Sequence, residues 1–140
     1  MSPTGIGFGV SGVALIRAAD AMLRALGGDE VSLLFPQSPT PEDTSAQLGL
    51  VDPGVEEVRL SPVVVRNLPA SNTGPRRRLE FLFPASAVGS TAIEHGTASP
   101  QAFLESSLGV LYQGELLHIE NITTEYFAGT AYLYRIVAVE

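Results

Sequence analysis

Apolar and polar residues follow a helical period near the start of the chain and a strand period over much of the rest. The helical period covers Ser11–Leu26, where Ser11 can cap the first turn and Gly27 and Gly28 provide a left-handed stop. Apart from one charged stripe, the positions of this helix are apolar or small, which is a narrower polar face than a surface helix of a monomer usually has. The charged stripe consists of Arg17, Asp20 and Arg24.

This narrow polar stripe leaves two interpretations of the helix open. The helix either lies deep within its own domain, or it also packs against a neighbouring subunit. Burying a leucine-sized side chain is worth about 1.5–3 kcal/mol, so an uncovered apolar flank would be costly and prone to association. The second interpretation predicts a subunit contact made by Val13, Leu15, Ile16, Met22 and Leu23.

Strand-like alternation begins after the helix. Glu30–Phe35 predicts one strand, and Val55–Asn67 predicts a second strand with one wet face. Pro62 marks an edge or a bulge in the second strand, because proline cannot donate to a ladder. Leu79–Phe83 predicts a third strand, whose alternate residues share one face. That face consists of Leu79, Phe81 and Phe83.

The last third of the chain carries the strongest strand signal. Leu116–Ile122 and Ala131–Val139 predict an antiparallel pair joined by a loop of about eight residues, Thr123–Thr130. Two short helices are predicted before this pair. The first is Ser86–Glu94, capped by its first serine, and the second starts with the cap-and-proline signal of Ser99–Ser107.

These elements predict an α+β fold of mainly antiparallel β structure, a barrel or sandwich with an N-terminal helix and one or two short inserted helices. The fold is expected to form a single domain over residues 1–140. Residues 1–10 are predicted to be a flexible N-terminal arm, and Pro36–Gly54 a long acidic loop. The acidic residues of interest in this loop are Glu42, Asp43 and Asp52.

The composition argues against several classes of function. The chain has no cysteine and only two histidines, His95 and His118, so we predict no metal and no cofactor. With 8 basic and 15 acidic residues the net charge is −7, which disfavours binding to nucleic acid or to anionic lipid. The apolar stretch Gly5–Ile16 is too short to span a bilayer and follows no basic segment, so we expect a cytoplasmic protein.

Two short patterns could carry chemistry. Gly7–Gly12 matches the glycine spacing of dinucleotide sites. Such a site needs a strand before the first glycine and an acid at the end of the next strand, and the sequence offers neither. His118 and Glu120 share a strand face and could act as acid and base, although such a pair is more often a surface contact. We therefore predict that the chain is not an enzyme.

Arg76, Arg77 and Arg78 form the one basic cluster in the sequence. These arginines could bind an acidic partner surface through charge-assisted hydrogen bonds. The alternative is a solvated loop whose arginines run into the following strand. Both interpretations place the cluster at a partly exposed strand start.

The C-terminal third resembles a known family. A turn glycine, Gly114, precedes the strand opening Glu115–Ile119 with its Glu-Leu-x-x-Ile pattern, and Tyr132–Val139 closes the hairpin. This hairpin resembles the C-terminal hairpin of the small head–tail joining proteins of tailed bacteriophages, also called head-completion or neck proteins. The helix Ala14–Leu26 falls where that family has its helix. The helical stretch Ser86–Ser107 and the eight-residue connection between the last strands depart from the family pattern.

This resemblance implies a structural role. Proteins of the family are small β-barrels or sandwiches that assemble as a ring on the portal of a phage or prophage. The chain would then contact copies of itself and the neighbouring portal and tail proteins, without sequence-specific binding of nucleic acid. Its acidic loop would line a channel through which DNA passes without sticking, and it would lie in the cytoplasm before it joins the virion.

One alternative of a different class remains open at this stage. A small β-barrel could serve as a binding module for an apolar ligand, with aromatic side chains as the walls of its cavity. The six aromatic residues that would line such a cavity are Phe81, Phe83, Tyr126, Phe127, Tyr132 and Tyr134.

Overall fold

In the described part of the chain, six antiparallel strands close into a barrel, preceded by one long helix and interrupted by two short helices. The structure is a computed structural model that describes residues 3–37, 54–69 and 76–140, with the backbone alone for residues 3–12. The elements are α1 (Pro3–Ala25), β1 (Asp29–Pro36), β2 (Val55–Leu68), β3 (Arg78–Pro84), α2 (Ala85–Glu94), α3 (Pro100–Glu105), β4 (Gly109–Tyr112), β5 (Glu115–Phe127) and β6 (Thr130–Val139).

The strand order around the barrel is β1-β2-β3-β6-β5-β4, and β4 closes the barrel by pairing with β1. This confirms the predicted α+β fold with an antiparallel barrel and an N-terminal helix. Because neighbouring strands are antiparallel, their ends gather at two ends of the barrel. The helix-capped end holds the end of β1, the start of β2, the segment of α2 and α3, and the β5–β6 turn. The arginine end holds the α1–β1 connection, the end of β2, the start of β3 and the β4–β5 turn.

Alternating side chains of the strands fill the barrel interior. In β3, Leu79, Phe81 and Phe83 are at most 1% exposed, as the alternation predicts. Every strand contributes to the same apolar cluster, and both short helices add to it. The largest fully buried side chains are Phe35, Phe81, Phe83, Phe103, Leu33, Leu60, Leu79, Leu104, Leu117, Ile136, Val31 and Val63.

The long strands β2 and β5 each serve two neighbours in succession. The first part of β2 pairs with β1, and residues 64–68 pair with β3. Pro62 lies where this pairing changes partner, beside a bulge in the β1–β2 register, which confirms its predicted role. In β5, residues 115–117 pair with β4 and residues 118–127 pair with β6.

The predicted eight-residue loop between the last two strands is wrong. Residues 123–127 continue β5, and β6 begins at Thr130, so the turn contains only Ala128 and Gly129. Both turn residues have positive φ, 50° and 79°, as a tight hairpin turn with the right twist requires. The threonines and aromatics of the Thr123–Phe127 stretch favour extended structure, which explains why the strand continues.

The short strand β4 was not predicted from the sequence. Its four residues, Gly109–Tyr112, lack the length from which alternation can be recognised. The turn to β5 again has two residues with positive φ, Gln113 at 52° and Gly114 at 79°. The expected turn glycine is therefore confirmed at Gly114.

The two short helices close one end of the barrel. The predicted cap of the second helix is confirmed, because Ser99 Oγ accepts a hydrogen bond from the Ala102 N–H at 3.1 Å. The predicted cap of the first helix is wrong: α2 starts one residue before Ser86, and Pro84 occupies its N-cap position. The buried side chains Val88, Ala92, Phe103 and Leu104 fix the two helices over the barrel core.

Helix α1 is longer than predicted. It begins at Pro3 rather than near Ser11, so residues 3–10, predicted to be a flexible arm, form the first turns of the helix. Three glycines in this segment lower its helix propensity, which is why the sequence favoured a later start. Proline is tolerated in the first turn, where its missing N–H costs no hydrogen bond. The helix ends at Ala25, one residue before the predicted end.

Candidate interaction surfaces

Helix α1 packs against the barrel along one stripe only. It contacts β2, β3, β6 and α2. Over residues 13–25, the buried or half-buried positions recur with helical spacing, while the opposite side of the helix is exposed. The barrel-facing stripe consists of Leu15, Ile16, Ala19, Asp20 and Leu23.

The exposed side of α1 is here called the outer face. Val13 is 53% exposed and Met22 is 62% exposed, so each keeps a large apolar side chain in contact with water. Between these two flanks the helix carries alanines, which leave the backbone accessible to a close partner. The outer face consists of Val13, Ala14, Arg17, Ala18, Ala21, Met22, Arg24 and Ala25.

The five residues predicted to make a subunit contact are divided between the two sides of α1. Val13 and Met22 lie on the outer face. Leu15 and Ile16 are half-buried, and Leu23 is only 5% exposed. The charged stripe alone did not identify the side that meets the barrel, because its two arginines lie on the outer face while Asp20 lies on the barrel-facing stripe. The subunit contact itself stays a prediction, now narrowed to the outer face.

Two arginines give the outer face a positive flank. Arg24 Nε lies 3.0 Å from Asp20 Oδ2, and the Arg24 side chain is 66% exposed. Arg17 is exposed about two turns earlier and takes part in no ion pair among the described residues. The outer face therefore combines apolar side chains with a cationic edge.

A polar groove of about 400 Å³ opens at the helix-capped end of the barrel. It lies between the first residues of β2 and the last turn of α2, which are far apart in sequence. Barrel closure and the path of α2 across the barrel end bring these segments together. The acidic groove, as we call it, is lined by Glu56, Glu57, Val58, Arg59, Thr91, Glu94 and His95.

His95 forms the floor of the acidic groove. Its ring packs against Phe35 at a centroid distance of 4.8 Å and against Phe103 at 5.5 Å. Its Nε2 lies 3.9 Å from Glu56 Oε2. The His95 backbone N–H donates to the carbonyl of Thr91 at 2.9 Å, which ends α2. The histidine is thus held by the apolar core on one side and faces carboxylates on the other.

Carboxylates and exposed apolar side chains surround this floor. Glu57 Oε1 accepts a hydrogen bond from Ser32 Oγ at 2.6 Å, which fixes that carboxylate against β1. Glu94 is exposed at the end of α2. Val55, which precedes Glu56, is 57% exposed, and Ile93, which precedes Glu94, is 79% exposed; neither lines the groove. The groove therefore offers mainly negative charge.

The predicted basic cluster lies at the arginine end of the barrel. Arg77 Nη1 lies 3.3 Å from Glu115 Oε2, and Arg78 Nη2 lies 2.8 Å from Glu120 Oε1. Arg76 is exposed. Two of the three arginines are thus engaged by carboxylates of their own chain. The partner contact predicted for this cluster remains a prediction. The two intrachain ion pairs argue against it, because they already engage Arg77 and Arg78.

A network of ion pairs crosses the outside of the sheet. Glu80 on β3 is buried, with its side chain 7% exposed, and lies 3.2 Å from Arg66 and 3.7 Å from Arg135. Arg135 also lies 3.5 Å from Glu125. These contacts join β2, β3, β6 and β5. No sequence pattern indicated them, because alternation places Glu80 on the wet face of its strand.

The patterns considered for catalysis do not assemble a catalytic site. Glu120 is engaged by Arg78, and His118 is exposed two residues away across a bulge in β5. The glycines of the Gly7–Gly12 pattern lie inside α1, so they form no phosphate-binding loop. Within residues 3–37, 54–69 and 76–140, no three histidine or acidic side chains are grouped so that they could hold a metal ion.

The six aromatic residues of the ligand-binding alternative are found in separate places, with Tyr132 half-buried on β6. Phe81 and Phe83 are fully buried in the core, and Tyr134 is 5% exposed. Tyr126 and Phe127 are 65% and 54% exposed at the tip of the β5–β6 hairpin. Core packing and an exposed tip do not form the walls of one cavity.

Two tyrosines are perturbed by their surroundings. Burial raises the pKa of Tyr112, and the hydrogen bond that its hydroxyl donates to Asp29 Oδ2 at 3.1 Å raises it further. This bond ties β4 to the start of β1 at the arginine end. Burial also raises the pKa of Tyr134 within the core.

Glu42, Asp43 and Asp52, the predicted channel residues, lie outside the described residues. The described strand residues on either side of them, Pro36 of β1 and Val55 of β2, lie at the helix-capped end. Their predicted role is untouched by the structure.

Comparison with known proteins adds no relative. In the described part of the chain, no helix is both long enough and apolar enough to cross a membrane. No protein-family model, curated protein or solved structure matches the chain.

Proposed function

We propose that this chain is a structural component of the head–tail connector of a tailed phage or prophage. In this role it assembles as a homo-oligomeric ring on the portal and contacts neighbouring portal or tail proteins. The outer face of α1 is its main subunit contact.

The exposed apolar outer face of α1 is the observation that carries the proposal. Val13 and Met22 remain more than half exposed on a helix that is apolar or small apart from Arg17, Asp20 and Arg24. Fully burying a side chain of this kind is worth about 1.5–3 kcal/mol. An exposed apolar helix face of this extent is typical of a protein that functions in an assembly.

The shape of the C-terminal hairpin supports the same proposal. The tight turn at Ala128 and Gly129 replaces the long connection that set the sequence apart from the head–tail joining family. The barrel, the preceding helix and the tightly turned final hairpin match the architecture which that resemblance implies. The inserted helices α2 and α3 remain a difference.

Electron microscopy of the purified protein tests the proposal. We expect annular particles in the wild type, and their loss when Val13→Glu and Met22→Glu are combined, because both substitutions place charge on the outer face. The matched control combines Leu108→Glu and Leu116→Glu, which add the same charge at positions 53% and 47% exposed around β4. A wild type that stays monomeric at high concentration would overturn the proposal, and so would equal loss of rings in the control.

The genomic surroundings of the gene give a second, independent test. We expect genes for portal, capsid and tail proteins on either side. Metabolic genes on both sides would favour a different role, and the annular particles would then need another explanation.

The ligand-binding alternative has no observation in its favour. Its proposed walls are divided between the barrel core and the exposed hairpin tip, as Phe83 and Tyr126 illustrate. We therefore retain the connector role as the single proposed function.

A further inference from the structure

We infer that the acidic groove of one copy receives the outer face of α1 from the next copy. The subunit contact is then head-to-tail, between two different surfaces of the chain. This inference rests on the proposed function, since it names the surface that meets the contact face proposed there.

Charge complementarity is the first argument. The outer face carries Arg17 and Arg24, whose positions are separated by about 10 Å along the helix axis. The acidic groove carries three carboxylates and a single arginine. Opposite charges on two surfaces of one chain steer copies into a defined orientation and disfavour others. The three carboxylates are Glu56, Glu57 and Glu94.

Apolar complementarity is the second argument. Val55 and Ile93 directly precede the groove residues Glu56 and Glu94 and are exposed, as Val13 and Met22 are on the outer face. On both surfaces, apolar side chains stand next to the charges, as in the core and rim of a protein interface. The alanines of the outer face allow the helix to approach a partner closely, because the distance between packed elements depends on the side chains at the contact.

The charges also argue against pairing of two α1 helices. Such a contact would bring the arginines of both outer faces together, and like charges across an interface cost affinity. Asp20, the acid nearest to them, lies on the barrel-facing stripe and is already engaged by Arg24. A helix pair would also be isologous and would give dimers, whereas a contact between two different surfaces can close into a ring.

A metal ion is a poorer occupant of the groove than a protein cation. The groove contains acids and a histidine, but the described residues include no cluster with a geometry that could hold a metal ion. An arginine of the outer face can pair with the carboxylates of the groove through charge-assisted hydrogen bonds.

Two variants test the inference. The helix variant combines Arg17→Gln, Ala18→Gln and Ala21→Gln, which remove a cation and add bulk to the outer face without adding charge. The groove variant combines Glu56→Arg and Glu94→Arg, which reverse two exposed carboxylates. All five positions are exposed, so both variants are expected to keep the wild-type fold, which circular dichroism and thermal unfolding check.

Analytical ultracentrifugation of each variant and of their mixture gives the result. The association constant of each variant alone should be at least about a hundredfold lower than that of the wild type. In an equimolar mixture, the intact groove of the helix variant should accept the intact helix of the groove variant. The mixture should therefore form dimers that contain one copy of each variant and should not form rings.

A control with matched charge completes the experiment. Glu30→Arg combined with Glu105→Arg makes the same charge change at exposed sites outside the groove and should associate as the wild type does. If the wild type assembles and the groove variant assembles equally well, the inference is overturned while the proposed function stands. If both variants are impaired but the mixture forms no dimer, the head-to-tail contact is likewise overturned. A wild type that never assembles removes the proposed function and this inference together.

Discussion

Helices α1 and α2 are similarly apolar in sequence but lie in different surroundings. Helix α2 crosses the end of the barrel and buries Val88 and Ala92 in the common core. Over residues 13–25, helix α1 buries Leu23 to a comparable degree and leaves Val13 and Met22 more than half exposed. Except for Ile93, which is 79% exposed, the apolar character of α2 is explained by its own domain, and that of the outer face of α1 is not.

The difference shows that apolar composition alone does not identify a core element. A helix that covers its own barrel and a helix that meets another subunit both carry a narrow polar stripe. Burial in the folded chain separates them, because only the first loses its apolar side chains to the domain that contains it. We therefore expect substitutions in the core beneath α2 and α3 to affect folding strongly, and substitutions on the outer face of α1 to affect assembly.

The largest change in stability is expected for the core at the helix-capped end of the barrel, beneath α2 and α3. Phe103 is fully buried, with its ring 4.8 Å from Phe35. Phe103→Ala should lower the free energy of unfolding by about 3–5 kcal/mol, since a large side chain leaves a cavity in a packed core. Met22→Ala on the outer face should change it by less than about 0.5 kcal/mol. Urea denaturation at concentrations where the protein is monomeric measures both, and similar losses would erase the distinction between core and outer face.

A smaller effect is expected within α1 itself. Leu23 is the barrel-facing anchor of the helix, at 5% exposure. Leu23→Ala should destabilise the monomer by about 2–3 kcal/mol, near the lower end of buried leucine substitutions, because α1 packs on the barrel from one side only. The exposed neighbour Met22→Ala serves as the control in the same denaturation series. A Leu23→Ala protein as stable as the wild type would mean that α1 does not pack on the barrel in solution.

A smaller change in stability is expected from the cap of α3, which α2 lacks. The hydroxyl of Ser99 accepts from the Ala102 N–H at the start of this helix, whereas Ser86 is an exposed serine in the first turn of α2 that does not cap it. Ser99→Ala should cost about 1 kcal/mol of stability, and the control Ser86→Ala should cost much less. Thermal unfolding of the two variants checks the difference. Equal melting temperatures would show that the cap contributes nothing to the closed barrel end.

The smallest expected effect appears at alkaline pH. The pKa of Tyr112 is raised in the folded protein by burial and by the carboxylate of Asp29, above the ordinary value of 10.0. A raised pKa stabilises the fold below pH 10, and this contribution is lost as the pH rises through the folded pKa. Tyr112→Phe should therefore flatten part of the alkaline decline in stability, which urea denaturation at a series of pH values measures. Tyr134 retains its own share of that decline, because its pKa is also raised.

Much of the barrel could be predicted from the sequence, because burial follows alternation wherever a strand has one wet face. In Leu79–Phe83 the alternate residues Leu79, Phe81 and Phe83 are fully buried as predicted, although Glu80 between them is buried as well. The prediction was wrong where local signals compete. The glycines between residues 5 and 9 weakened the helix signal, so the start of α1 was predicted too late. The polar residues of Thr123–Phe127 indicated a loop, so the end of β5 was predicted too early. A turn signal was present in Gly129, whose φ of 79° favours glycine.

The acidic groove could not be predicted from the sequence. Glu56 and Glu94 belong to different elements far apart in the chain, and only barrel closure and the path of α2 bring them together. The same limit applies to Glu80, whose two arginine partners come from β2 and β6. The outer face of α1 could be predicted in part. The sequence showed the helical period, but it did not show which side of the helix meets the barrel.

Sedimentation velocity of the wild type over a wide concentration range shows whether the outer face of α1 drives self-association. Because we propose that it does, the sedimentation coefficient should rise with concentration. The combined Val13→Glu and Met22→Glu variant should remain a folded monomer, while the combined Leu108→Glu and Leu116→Glu control should sediment as the wild type does. A wild type that sediments as a monomer at every concentration, or an outer-face variant that associates as strongly as the wild type, would contradict the account.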